Sequence, residues 1–271
     1  MNEVLKSTGS YIIGWNDILG FESLLERVRK DYLEKEIVAR LDDLRDNIVR
    51  DSLIDEAQHE DVIVAFKSIE IRVISDTLAV ICPVTVPAWR SWLAFLKYSS
   101  TLNASMFDIG LPLRGAIAVG DLCVRDWGVF GEPVARAHKA CEALDLSACV
   151  LLPDTVDAMH AAFCAPEAPQ RQAMLTAWYD VPVKPPGKVE RHLVQLFNKG
   201  FFQTIERASI CDYTCDKFRL HNKSIDNPSV QRKLDNTISF LQWNRWLWEH
   251  GIQGGILKPL QQTPVSRECP N

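Results

Sequence analysis

Apolar residues fall along this chain in short runs separated by polar breaks, and their spacing predicts strands alternating with helices. The first run, Tyr11-Ile12-Ile13-Gly14-Trp15, reads as a buried strand that stops abruptly in Asn16-Asp17-Ile18-Leu19-Gly20-Phe21. Leu24, Leu25, Val28, Tyr32, Ile37, Leu41, Leu44 and Ile48 then recur at helical spacing across Glu22 to Asp51, with a solvated charged face that includes Glu26, Arg27, Lys30, Asp31, Arg45 and Asp46. Val62 to Phe66 and Ile69 to Ile74 read as extended. Leu78 to Cys82 follows as the return strand of a hairpin whose tip is Ser75-Asp76.

Pro83 and Pro87 stop that strand, and Trp89 to Met106 has the length and apolar content of a buried helix. Leu113 to Val124 alternates as strand, turn and strand, its small residues allowing close backbone approach. Val129-Phe130-Gly131-Glu132-Pro133 leads into a helix over Val134 to Leu144. A strand follows at Cys149 to Leu152, then a helix that Asp154 is expected to cap.

Beyond Cys164 the pattern weakens. Residues 165–169 and 183–187 read as loops, Val189 to Phe197 as a strand, and Val230 to His250 as a helix whose Trp243, Trp246 and Trp248 anchor it to the core. The Gln-, Pro- and Gly-rich final twenty residues are expected to be poorly ordered. The whole order suits an α+β fold: a ferredoxin-like antiparallel sheet with helices on one face, plus a C-terminal elaboration. The expected division is 8–155 as the core, 156–250 as an α/β extension packed on it, and 251–271 as a tail.

Composition narrows the function classes. A chain of 271 residues, 47% hydrophobic, can bury a sizeable core. Its net charge of -5 argues against a surface built to hold nucleic acid by its phosphates, so any phosphate site must be local. No run is long enough to span a membrane and the start is not that of a secretory signal, so a cytoplasmic protein is expected. Of eight cysteines, Cys82, Cys123, Cys141 and Cys149 sit in apolar or helical segments. Cys211 and Cys215 make a poor zinc signature.

Asp17 carries the first chemical signal. A carboxylate closing a buried strand needs compensation, either as the cap of the next helix or as a metal ligand. In an antiparallel sheet the end of the first strand and the tip of the following hairpin can adjoin, which would bring Asp17 to Asp76. Two carboxylates there suit Mg or Mn, and two such ions serve phosphoryl transfer. Between them Ile18, Leu19, Gly20 and Phe21 offer backbone N–H groups at a turn and helix start, where phosphates are readily cradled.

Four blocks, Asn16-Asp17-Ile18-Leu19-Gly20-Phe21, Ile74-Ser75-Asp76-Thr77, Leu113-Arg114-Gly115-Ala116-Ile117-Ala118-Val119-Gly120 and Val129-Phe130-Gly131, resemble in order and spacing the class III nucleotide cyclase catalytic domain. Within that family the chain most resembles the stand-alone bacterial pyrimidine cyclases of Pycsar anti-phage systems. The resemblance implies a homodimer with two interfacial active sites, each taking a nucleoside triphosphate and two Mn or Mg ions. Asp17 and Asp76 match the metal aspartates, and Ile18 matches the position that also offers its carbonyl. The implied reaction is attack of the ribose 3'-hydroxyl on the α-phosphorus with loss of pyrophosphate.

The departures point away from purines. Where purine cyclases carry a base-reading lysine this chain has Arg72, and their asparagine and arginine are replaced by Ala135 and Lys139. By its family position Lys139 is expected to reach phosphate and act in catalysis; Arg136 and His138 are neighbouring candidates for phosphate or ribose, His138 being expected rather to pack on or bind a neighbouring side chain. Arg114 is read equally as a sheet residue or a ligand contact. Since both metal aspartates are present, the expected activity is a pyrimidine cyclase making cyclic UMP, with CTP as the second choice, as an antiviral second messenger. The competing readings are a purine cyclase and a catalytically silent nucleotide-binding dimerisation module.

Overall fold

The computed structural model describes residues 8–26, 30–39, 42, 60–168, 175–205, 209–222, 224–253 and 256–257. Strand β1 (Thr8–Ile18) lies in the middle of the sheet, antiparallel to β3 (Thr77–Pro83) on one side and to β4 (Leu113–Arg125) on the other. β2 (Glu70–Ile74) forms the outer edge by its hairpin with β3. Beyond β4 come β6 (Cys149–Leu151), parallel to it, then β8 (Lys188–Gln195) and β7 (Thr176–Val183). The order is β2-β3-β1-β4-β6-β8-β7, with β5 (Gly128–Phe130) returning along β4. A separate two-stranded pair joins β9 (Ile252–Gln253) and β10 (Ile256–Leu257).

This is the expected α+β architecture of a mostly antiparallel sheet with helices packed on it. The helices, however, cover both faces rather than one. Alternation along β1 sends Ile12 to one face and Ile13 to the other, and each meets its own layer. Ile12 joins Val80, Ile117, Phe66, Trp92 and Phe95, beneath α3 (Glu60–Lys67), α4 (Ala88–Asp108) and α6 (Pro153–Phe163). Ile13 joins Ala116, Ala118, Ala137, Cys141, Ile238 and Leu241, beneath α5 (Glu132–Ala143) and α9 (Pro228–Trp246). An apolar face on each side of the sheet requires a covering layer on each side.

The segment after Cys164 belongs to the same sheet and core. β8 pairs with β6, and α7 (Lys199–Thr204) and α8 (Ile210–Arg219) bring Phe201 and Phe218 to the fully buried Phe107, with ring centroids 5.7 and 6.3 Å away. Trp243 lies 4.6 Å from Tyr179, and the Trp248 indole N–H donates to the Phe197 carbonyl at 2.7 Å.

Several local expectations change. Val62 to Phe66 is helical, because Val62, Ala65 and Phe66 are buried at spacings of three and four while Val64 is 66% exposed. Leu113 to Arg125 is one strand, not two, since its ladder with β1 runs unbroken from Leu113 to Cys123. The long helix expected from Glu22 is α1 (Phe21–Leu25), then α2 (Lys30–Tyr32) running on as a π-helical stretch, Leu33–Val38; most of 40–59 lies outside the described residues. The expected tail, apart from the small β9–β10 pair, also lies outside them. Among the described residues no helix is long and apolar enough to cross a membrane.

Candidate active site

The register of the sheet brings the two aspartates to one place. Asp17 pairs with Thr77 across the β1–β3 ladder, and the next N–H along, that of Ile18, donates to the Asp76 carbonyl at 2.8 Å. Asp76 occupies the tip of a two-residue hairpin in which Ser75 takes the left-handed conformation, φ 59°. Asp76 is half-buried, and among the described residues its carboxylate makes no hydrogen bond or ion pair.

Asp17 is held from both sides. Its Oδ1 accepts from the Thr77 hydroxyl at 3.1 Å, and its Oδ2 accepts from the Arg114 guanidinium, Nη2 at 3.0 Å and Nε at 3.3 Å. Arg114 faces Asp17 because the two are directly paired across the β1–β4 ladder. Both side chains are largely buried, 15% and 13% exposed, so each offsets the other's desolvation. Asp17 therefore caps no helix: α1 begins after Gly20, whose φ of 77° makes the turn without a side-chain cap.

That turn is narrower as a phosphate seat than the sequence suggests. The N–H groups of Ile18 and Leu19 already donate to the carbonyls of Asp76 and Pro112, at 2.8 and 2.9 Å. Among the described residues only Gly20 and Phe21 of the four are left with backbone N–H groups for an anion.

The remaining candidates lie further out. Arg72 shares the Asp17 face of the sheet, since it pairs with Ala79 as Asp17 pairs with Thr77. Its Nε donates to Glu70 at 2.5 Å, and its Nη1 donates to the carbonyls of Arg125 and Gly128 in the β4–β5 turn, the latter at 3.2 Å. Lys139 is exposed on α5 and makes no hydrogen bond or ion pair among the described residues. His138 packs edge-on against Trp15 at 5.7 Å and lies 3.7 Å from Glu142. Among the described residues the Trp15 indole N–H, buried on this same face, has no hydrogen-bond partner.

Arg136 is placed elsewhere. Its guanidinium grips Asp154 at 2.5 and 2.6 Å and reaches Glu132 at 3.5 Å, near the opposite end of α5 from Cys141, which contacts Arg114. This pairing holds the Asp154 carboxyl below the usual carboxylate value and pushes the Arg136 guanidinium up. Asp154 accordingly sits in the first turn of α6, whose cap position is Leu152, and makes an inter-helix ion pair rather than a cap.

Sequence reasoning left two participants undecided or unnamed. Arg114 carried no decisive signal, because its role depends on the β1–β4 register. Thr77 is adjacent to Asp76 in the chain yet acts on Asp17. Among the described residues no three His, Cys, Asp or Glu side chains gather around a common point. The donor set at this corner is two carboxylates and adjoining backbone carbonyls, hard oxygens that fit Mg or Mn. The buried guanidinium on Asp17 marks the same point as one that holds a cation.

No protein-family model matches the chain, and no curated protein matches it. Solved structures similar to it include the adenylyl cyclase CyaB from P. aeruginosa, 14% identical over 70% of this chain and 94% of that one, with a TM-score of 0.42. The guanylyl cyclase domain of the RhoGC fusion protein from the aquatic fungus Blastocladiella emersonii is 10% identical over 72% of this chain and 100% of that one, TM-score 0.43. The adenylate/guanylate cyclase/hydrolase from Silicibacter pomeroyi is 11% identical over 70% and 97%, TM-score 0.40. Likeness at this level assigns neither a family nor an activity.

Proposed function

We propose that the protein is a metal-dependent nucleotide cyclase acting on a pyrimidine triphosphate, UTP before CTP, to give the 3',5'-cyclic nucleotide and pyrophosphate as a signal in anti-phage defence. The observation that carries the reading is the Asp17–Asp76 corner, with the Asp76 carboxylate half-buried and, among the described residues, unpartnered beside the strand end that holds Asp17. Asp17, Asp76 and the Ile18 carbonyl would hold two Mg or Mn ions. When bound, these supply a lowered pKa at the ribose 3'-hydroxyl and offset charge at the α-phosphate.

The chain's own groups do the rest. The Thr77 hydroxyl and Arg114 orient the Asp17 carboxylate, and Arg114, once relieved of that anion, is free to face phosphate oxygens. Gly20 and Phe21 offer their N–H groups to the same tail. Lys139, exposed on α5, reaches the site of a partner subunit, so the active form is a homodimer. Arg72 faces the base. The loss of the purine-reading lysine supports a pyrimidine over a purine. Arg136, committed to Asp154, is given no role in binding.

Incubating the protein with each of four labelled triphosphates and Mn tests the reading. Cyclic UMP should dominate, and Asp76→Ala should lower its rate at least about 100-fold, as expected for loss of a metal ligand. Preference for ATP or GTP would overturn the pyrimidine assignment alone. No cyclic product from any triphosphate would leave the silent module, in which Arg114 neutralises Asp17.

A further inference from the structure

Helix α4 ends in a turn that leads directly to the candidate site. Gly110, at φ 80°, closes it: the Gly110 N–H donates to the Phe107 carbonyl at 3.0 Å and the Leu111 N–H to the Met106 carbonyl at 2.8 Å. Pro112 has no N–H, so it can serve neither the Asp108 nor the Ile109 carbonyl. Its own carbonyl accepts from the Leu19 N–H at 2.9 Å, and Leu113 then pairs with Ile18 as β4 begins.

Both remaining carbonyls are taken by α8 and the 3₁₀ turn that follows it, Leu220–Asn222. The Lys217 ammonium donates to the Asp108 carbonyl and lies 2.9 Å from the Asp108 carboxylate, which also accepts from the Tyr213 hydroxyl at 2.8 Å. His221 Nε2 donates to the Ile109 carbonyl at 2.7 Å. A carbonyl only accepts, so that nitrogen carries the proton; the ring in its neutral form then accepts at Nδ1 from the Tyr32 hydroxyl of α2, 2.9 Å away. His221 is buried and takes the left-handed conformation, φ 60°, which a residue with a side chain keeps only where its surroundings fix it. Leu220 beside it packs over Gly110, where an added Cβ would lie 2.5 Å from the Leu220 Cβ.

Two routes therefore run from His221 to the turn after Asp17. One passes through the Ile109 carbonyl and Pro112 to the Leu19 N–H. The other passes through Tyr32 to the segment that follows α1, the helix that Gly20 and Phe21 begin. We propose that His221 is a positioning residue for the reaction: by joining Ile109 to Tyr32 it fixes the turn over 18–21, and with it the N–H groups that Gly20 and Phe21 offer to the triphosphate. Its part in the reaction rests on the cyclase reading; the clasp on the turn does not.

Hydrogen exchange and kinetics on the whole protein test the two together. His221→Asn suits the left-handed backbone and keeps a polar group where Nδ1 stood, but is too short to reach Ile109; His221→Gln keeps a donor where Nε2 stood. The Asn variant should exchange its Leu19 amide proton at least about tenfold faster than wild type, with that of Ile13 in mid-strand unchanged. Its KM for the triphosphate that wild type cyclises best should rise about tenfold, with kcat within about threefold. The Gln variant should restore both. Tyr32→Phe, which deletes one oxygen, should move both readouts in the same direction and decides the matter if the Asn variant does not fold. Unchanged Leu19 exchange, or a fall in kcat at constant KM, overturns the proposal. Faster Leu19 exchange in a protein that cyclises no triphosphate would keep the clasp and reject its role in catalysis together with the cyclase.

Discussion

At the scale of single residues, the position of Asp17 depends on its neighbour. Asn16 is fully buried on the opposite face of β1, its amide donating to the Leu78 carbonyl at 3.1 Å. It fits only because Gly115, directly across the β1–β4 ladder, has no side chain: a Cβ there would lie 2.1 Å from Asn16 Oδ1. The Asn16 oxygen cannot retreat freely, since the Cys149 thiol lies 3.7 Å beyond it. Gly115→Ala should therefore destabilise the fold by about 1–3 kcal/mol, read as a lower denaturant midpoint with unchanged slope. It should also slow cyclisation, because shifting Asn16 shifts Asp17. A midpoint equal to that of wild type would show that β1 has slack at this point. Asn16 thus finds its explanation in a glycine ninety-nine positions away, a partner that no local pattern announces.

At the scale of elements, α5 is fastened at both ends by different means. Near its C-terminus the Cys141 thiol bonds the Arg114 carbonyl at 3.3 Å, and burial pushes that thiol up to about 12. Near its start Arg136 clasps Asp154 at the head of α6. The Asp154 carboxyl is held below its ordinary value of 3.8 by that hydrogen bond. Its contribution is therefore fully present above the ordinary value and is lost as pH falls through the lowered folded-state value. Asp154→Asn should be less stable than wild type at neutral pH, by under about 1 kcal/mol since the pair is well exposed, and the two melting curves should converge in strong acid. A difference that persists unchanged at low pH would assign it to something other than this ion pair. The same clasp explains why Arg136, one residue from Ala137 on the buried stripe, read as a ligand candidate: its acidic partner lies on an element whose direction only packing determines.

At the scale of the whole molecule, the proposed site needs a second chain, and mixing tests that directly. Asp76→Ala and Lys139→Ala variants, each inactive alone, should recover activity together. Equal mixing of subunits would restore up to about a quarter of the wild-type sites, because half the dimers are mixed and each holds one intact site. No recovery after subunit exchange would place Lys139 in its own chain's site or outside the mechanism.

The division of labour between local pattern and packing follows from the range of the forces involved. Alternation and helical spacing are set by residues a few positions apart, so β1, the β2–β3 hairpin with Asp76 at its tip, α4, α5 and the overall α+β arrangement were legible in the chain. Val62 to Phe66 misled because its β-branched residues favour strands, whereas the burial of three side chains against α4 made it a helix. β7 went unseen because it is an edge strand, where Asp180 and Pro182 are tolerated and alternation is poor. Strand register and helix direction are decided by contacts across the sheet. Register alone placed Thr77 and Arg114 on Asp17, and the docking of α9 brought Arg232 to the buried Asp145. The sequence could mark Asp17 as a carboxylate in need of a cation. Which groups surround it was settled only when distant strands came into register.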